Sequence, residues 1–220
     1  MLCYRRCWPV ARQPCTPVQL AAERSLANIL IDPAPCKRPT LVYGSPIPLA
    51  QEMTVKEITQ LAAELGRRLQ VLNAHVTAAE SCTGGGISEA ITRIPGSSAW
   101  FEAGYVTYSN RQKTEQLNVP AELFPAVGAV SREVVEAMVR GAQEKSRARF
   151  AVAVSGVAGP DGGSPSKPVG TVWLAWGVGE QVFSEVQYFP GNRDEVRRQT
   201  VKAALEGLLR HAAGEISNQG

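Results

Sequence analysis

The chain has 220 residues, 44% of them apolar, with 23 lysines and arginines against 20 aspartates and glutamates. No apolar run approaches the roughly 18 residues that a membrane helix needs, which excludes a helical membrane protein; the length fits one sizeable domain, with or without an appendage. The net charge of +3 hints at a nucleic-acid or membrane partner, but it is not spread along the chain.

Divided before Met53, the chain falls into two compositions. Residues 1–52 hold 6 basic and 3 acidic residues, 8 of the 15 prolines, 4 of the 5 cysteines and 1 of the 20 glycines. Residues 53–220 hold 17 basic and 17 acidic residues. Proline removes a backbone donor and restrains its predecessor, so the first part predicts only a short helix over 18–31, with Leu20, Ala27, Leu30 and Ile31 on one side. Arg5 and Arg6 look like the start of a secretory signal, but no apolar core follows. A transit peptide remains an alternative, because arginines occur there without an acid before Glu23. Cys3, Cys7, Cys15 and Cys36 lack the tight spacing of a zinc site. The expectation is an extension without chemistry over 1–52, disordered or translated from a start upstream of Met53, and a folded domain over 53–220.

From Thr54 the pattern becomes regular. Val55, Ile58, Leu61, Ala62, Leu65 and Leu69 recur at helical spacing, with Thr54 as cap and Glu57 three residues on. Residues 75–79 read as a buried strand. A helix is predicted over 83–94, with Ile87, Ala90, Ile91 and Ile94 inward, and a strand over 100–109. Short helices follow over 110–117 and 120–124. Ser131 caps a helix to about Ser146, with Glu133 in its first turn and Val134, Val135, Met138, Val139 and Ala142 on its apolar side. Residues 150–155 form an apolar strand of the kind buried on both faces. Strands over 169–178 and 181–189, joined by Gly179-Glu180, form a hairpin. A last helix starts at Asn192 or Asp194 and runs to about His211. Helices alternating with buried strands, plus one hairpin, predict an α/β fold: a three-layer α/β/α domain with a mixed sheet.

Three turns after strands are candidates for chemistry. In Ala79-Glu-Ser-Cys-Thr-Gly-Gly-Gly86, hydroxyls and glycines lie between a strand and a helix, where free N–H groups attract an anion or a developing oxyanion; Ser81 or Thr83 acting only as a helix cap is the plainer alternative. In Tyr105-Val-Thr-Tyr-Ser-Asn-Arg-Gln-Lys113, Lys113 is either a solvated helix lysine or a desolvated amine able to take a proton from a serine. Tyr108 either packs or relays a hydrogen bond. Val154-Ser-Gly-Val-Ala-Gly-Pro-Asp-Gly-Gly163 is a structured loop. Ligands bind beyond the carboxyl ends of parallel strands, where the three segments would meet.

The remaining candidates are weaker. His75 and His211 lie away from these turns, which argues against a histidine triad or a histidine metal site. Cys82 is either a nucleophile without a histidine or a small buried apolar residue. Arg193, Arg197 and Arg198 form a solvated helix face or reach a phosphate.

These motifs occur in a familiar order. Ala79-Glu-Ser-Cys-Thr-Gly-Gly85, Gly96-Ser-Ser-Ala-Trp-Phe101, Tyr108-Ser-Asn110 with Lys113, Gly128-Ala-Val-Ser131, Ser155-Gly-Val-Ala-Gly-Pro-Asp-Gly-Gly163, Lys167-Pro-Val-Gly-Thr-Val-Trp173 and Gly191-Asn-Arg-Asp194 make residues 53 to about 211 resemble the CinA carboxy-terminal domain family in its stand-alone amidohydrolase form. The resemblance implies hydrolysis of the carboxamide of nicotinamide mononucleotide to nicotinate mononucleotide and ammonia, a step of pyridine nucleotide salvage, without metal or other cofactor. It implies Ser81 as nucleophile, Lys113 as base and Tyr108 assisting. Thr83, Gly84, Gly85, Ser155, Gly156 and Arg193 are the implied substrate-binding residues, with phosphate the suggested target of Arg193. A lysine base must be substantially neutral near pH 7, so burial or a neighbouring charge, for which Arg111 and Arg193 are candidates, has to lower its pKa.

The competing expectation is a non-catalytic nucleotide- or partner-binding module linked to competence or DNA repair, a context the family name carries. The presence of both Ser81 and Lys113 argues against it, and the neutral body argues against nucleic acid as a partner. A small-molecule nucleotide substrate, no membrane partner, a homo-oligomer (a dimer, through the hairpin) and a cytoplasmic location complete the expectations.

Overall fold

The computed structural model describes the backbone of residues 49–218 and the side chains of residues 55–214. The helix expected over 18–31 and the four early cysteines lie outside the described residues. Helix α1 (Leu49–Val71) begins before Met53, so Thr54 lies inside it and is not its cap. The remaining elements are β1 (Val76–Glu80), α2 (Gly86–Thr92), β2 (Phe101–Val106), α3 (Asn110–Leu117), α4 (Leu123–Val127), α5 (Arg132–Ser146), β3 (Phe150–Gly156), β4 (Thr171–Val178), β5 (Gln181–Tyr188) and α6 (Arg193–Asn218).

The five strands form a mixed sheet in the order β2-β1-β3-β4-β5. β1 is parallel to β2 and β3, whereas β4 and β5 add antiparallel. Side chains alternate across the pleat, so each strand feeds two cores. Val76, Ala78, Val152, Val154, Leu174 and Trp176 meet α1, α2 and α6 on one face. Ala79, Ala151, Ala153 and Ala175 meet α3 and α5 on the other. β1 and β3 are central and buried along their length. This is the three-layer α/β arrangement expected from the alternation of helices and buried strands.

Three boundaries differ from expectation for local reasons. α2 starts at Gly86 rather than at residue 83 because Gly84 (φ +57°) and Gly85 (φ +97°) are left-handed, a conformation that ends rather than begins a helix. The Ser131 hydroxyl donates to the carbonyl of Gly128 at 2.8 Å, so α5 has no side-chain cap. α6 starts after Asn192, whose Oδ1 accepts from the N–H groups of Asp194 and Glu195 while Glu195 accepts from the Asn192 N–H. The hairpin is also not uniformly exposed. β4 is internal, and only β5, at the sheet edge, shows Phe183, Val186 and Tyr188 to solvent.

Candidate active site

Ser81 and Lys113 are brought together at the carboxyl end of the parallel strands. Ser81 follows β1, and its N–H donates to the carbonyl of Val154 on β3. Lys113 lies on α3, whose N-terminus is capped by Ser109 accepting from the Gln112 N–H. The Lys113 side chain is 1% exposed, and its Nζ lies 3.0 Å from Ser81 Oγ, 2.8 Å from the carbonyl of Thr107 and 3.1 Å from that of Tyr108. Two carbonyls can only accept. In the neutral amine they take its two hydrogens, and the lone pair is left pointing at Ser81 Oγ, which then donates. The same three oxygens accept the three hydrogens of the ammonium, so the site holds either protonation state and places the neutral amine in line to accept from Ser81.

Burial pushes the Lys113 ammonium down to about 8. Neither arginine proposed to do this is involved. Arg111 pairs with Glu115 at 3.7 Å on the exposed side of α3. Arg193 donates to the carbonyl of Gly159 at 2.9 Å and to the Tyr108 hydroxyl at 3.1 Å. Tyr108 thus meets Lys113 through its backbone carbonyl, while its exposed phenol and Arg193 form a bridge from the end of β2 to the loop after β3.

Glu80 is the residue that sequence reasoning missed. Its carboxylate is fully buried and accepts five hydrogen bonds: from the hydroxyls of Thr83 and Ser88 and from the N–H groups of Gly85, Ile87 and Ser88. It therefore occupies the amides at the start of α2 that had been expected to face an oxyanion. Gly84 N–H donates to the Ser81 carbonyl and Gly86 N–H to that of Thr83, while among the described residues no backbone carbonyl accepts from the N–H groups of Cys82 and Thr83. The available signal was a carboxylate ending an apolar strand, directly before Ser81.

The other candidates are positioned as follows. Thr83 is buried, with its hydroxyl on Glu80 and its carbonyl accepting from Arg197 at 2.8 Å. Gly84 and Gly85 supply the left-handed turn. Ser155 is 1% exposed and donates to the carbonyl of Ala129. A Cβ on Gly156 would lie 2.6 Å from Val172, so close packing of β4 requires glycine there. Cys82 is buried, and that burial pushes its thiol up to about 12, which leaves almost no thiolate at neutral pH. His75 precedes β1 at the end of the strand opposite Ser81, and His211 stacks on Phe183 with ring centroids 4.4 Å apart.

A cavity of about 320 Å³ lies between α1, α2 and α6. Neither Ser81 nor Lys113 lines it, and its Arg93 is committed to Glu89 and Thr59. Among the described residues no helix is long and apolar enough to cross a membrane.

A family model described as the CinA C-terminal domain matches residues 58–212. A Pseudomonas putida protein named nicotinamide-nucleotide amidohydrolase PncC is 76% identical over 152 residues, covering 69% of this chain and 95% of that protein. A protein of the same name from Escherichia coli K12 is 50% identical over 157 residues, covering 71% of this chain and 95% of its own length. The crystal structure of the competence/damage inducible protein CihA from Agrobacterium tumefaciens matches with a TM-score of 0.68 at 45% identity, over 70% of this chain and 94% of that one.

Proposed function

This chain belongs to the CinA C-terminal domain family, and we propose that it is a nicotinamide-nucleotide amidohydrolase that converts nicotinamide mononucleotide to nicotinate mononucleotide and ammonia in the cytoplasm. The observation that carries the reading is the buried Lys113 amine held 3.0 Å from Ser81 Oγ by two carbonyls. The resemblance to PncC proteins supplies the substrate.

An amide is a poor electrophile, so its hydrolysis needs an activated nucleophile, a stabilised oxyanion and a proton for the leaving amine. Ser81 Oγ attacks the carboxamide carbon as its proton passes to Lys113 Nζ. The N–H groups of Cys82 and Thr83 receive the oxyanion. The Lys113 ammonium then protonates the leaving nitrogen, and ammonia departs from an ester on Ser81. Water, deprotonated by Lys113, attacks that ester; the proton returns to Ser81 Oγ, and the carboxylate product leaves. Tyr108 and Arg193 form the rim against which the substrate rests, while Thr83, Gly84, Gly85, Ser155 and Gly156 shape the floor. All of these residues lie within 53–220, which we take as the catalytic domain.

The direct test is ammonia release from nicotinamide mononucleotide, compared with nicotinamide and NAD. Preferential release from the mononucleotide supports the reading. Absence of release from all three, together with salt-dependent DNA binding, would favour a binding module.

The assembly we propose is a homodimer built on β5. Its outer edge pairs with no strand among the described residues, and Phe183, Val186 and Tyr188 are 41%, 52% and 63% exposed there. Unpaired, apolar edge strands invite pairing with a second chain. Light scattering is expected to give twice the chain mass, falling to one chain for Val186→Lys with Tyr188→Lys. A wild-type monomer at micromolar concentration removes the dimer.

A further inference from the structure

Resting on that reading of the substrate, we propose that the nucleotide's phosphate is held in a cleft of about 430 Å³ between the starts of α5 and β4, with Lys167 as its principal cation. Two of the segments that define the family resemblance, Gly128 to Ser131 and Lys167 to Trp173, meet here, and neither has a part in the serine–lysine chemistry.

The sheet puts the cleft in line with the nucleophile. Glu80 is paired with Val106 on one side and Val154 on the other, and Ser155 is paired with Trp173. The next residues, Thr107 and Ser81, therefore join Ser155 and Trp173 in one row across the carboxyl end of the sheet. That row lies on the face carrying α3 and α5, because Lys113 on α3 meets Ser81 and Trp173 packs against the α5 core. Two strand spacings, about 10 Å, separate Ser81 from Trp173, a span comparable to that between base and phosphate in a nucleotide. Ser155 is covered by Ala129, so the ligand passes over Ala129 and Val130 to reach the cleft.

The lining suits a phosphate. Lys167 spends one of its three N–H donors on the carbonyl of Val127 at 2.8 Å and keeps two. The Arg132 guanidinium sits 5.7 Å from the centre of the Trp173 ring. Glu133 also lines the cleft, leaving one net positive charge among these three groups. The Ser131 hydroxyl is turned to Gly128, so the first amides of the 15-residue α5 have no side-chain cap at the cleft wall. That wall is preorganised: the successive carbonyls of Val127, Gly128 and Ala129 accept from Lys167, Ser131 and Ser155. Arg193 spends donors on Gly159 and Tyr108 and does not line this cleft.

The test uses the full chain with Lys167→Met and Lys167→Arg, and nicotinamide mononucleotide paired with nicotinamide riboside, as substrate or as competing ligand. Lys167→Met is expected to raise KM for the mononucleotide about tenfold with kcat within about twofold, to leave riboside binding unchanged, and to be largely rescued by Lys167→Arg. An unchanged KM, or equal losses for mononucleotide and riboside, overturns the phosphate site while leaving the amidohydrolase intact. Failure of the wild-type chain to release ammonia overturns both.

Discussion

Replacing Ser81 with alanine is expected to lower ammonia release by at least about 10³-fold while the chain stays folded. The substitution removes the proposed nucleophile and one hydrogen bond from a half-buried position. Lys113→Met is expected to match that loss. It preserves much of the buried volume but leaves the carbonyls of Thr107 and Tyr108 without their donor, a cost of roughly 1–3 kcal/mol. The double variant should be little worse than either single one, because the two groups act as a unit. Near-normal turnover by either single variant removes the serine–lysine mechanism.

The same lysine sets the pH dependence. Its burial lowers the pKa from 10.5 to about 8, and in the proposed mechanism the neutral form is the active one. The rate should therefore rise about tenfold per pH unit below 8 and level off above it. Between pH 8 and 10.5 the folded chain holds fewer protons than the unfolded chain, so stability rises with pH across that window. A pH–rate profile that is flat from 6 to 9 rules out Lys113 as the base.

The second large effect is expected at Glu80. Glu80→Ala strands two hydroxyls and three amides in a buried turn, and at about 1–3 kcal/mol for each unpaired group the domain should lose most of its stability. Glu80→Gln is the informative variant. It is isosteric but offers a single acceptor oxygen, and its NH₂ must face groups that themselves donate. A loss of roughly 2–4 kcal/mol in denaturant unfolding is expected, together with a fall in kcat larger than any change in KM, because the turn that positions Ser81 loosens. Unfolding free energy within about 0.5 kcal/mol of wild type, with unaltered kcat, would show that the carboxylate does not hold the turn.

Much of the scaffold was legible in the residues. The apolar run 150–155 predicted a doubly buried strand and became central β3, and the short helix over 110–117 lies where its pattern put it. Boundaries went astray where side chains overrode local preference. Ser131 looked like a cap but bonds backward to Gly128, and the helix expected from residue 83 waits until Gly86 because Glu80 and two left-handed glycines shape the turn first.

By itself, the sequence determined the alternation of helices and strands, the neutrality of residues 53–220 and the presence of a serine and a lysine after successive strands. Each of these follows from periodicity, composition or order along the chain, which are one-dimensional properties. Only the tertiary structure decided that the Lys113 pKa is lowered by burial rather than by Arg111 or Arg193, that Glu80 occupies the helix-start amides, and that Lys167 and Trp173 share a cleft in line with Ser81. Desolvation and hydrogen-bond partnership depend on what the fold packs around a group, and residues 32 positions apart, such as Ser81 and Lys113, meet only when the sheet brings their turns together.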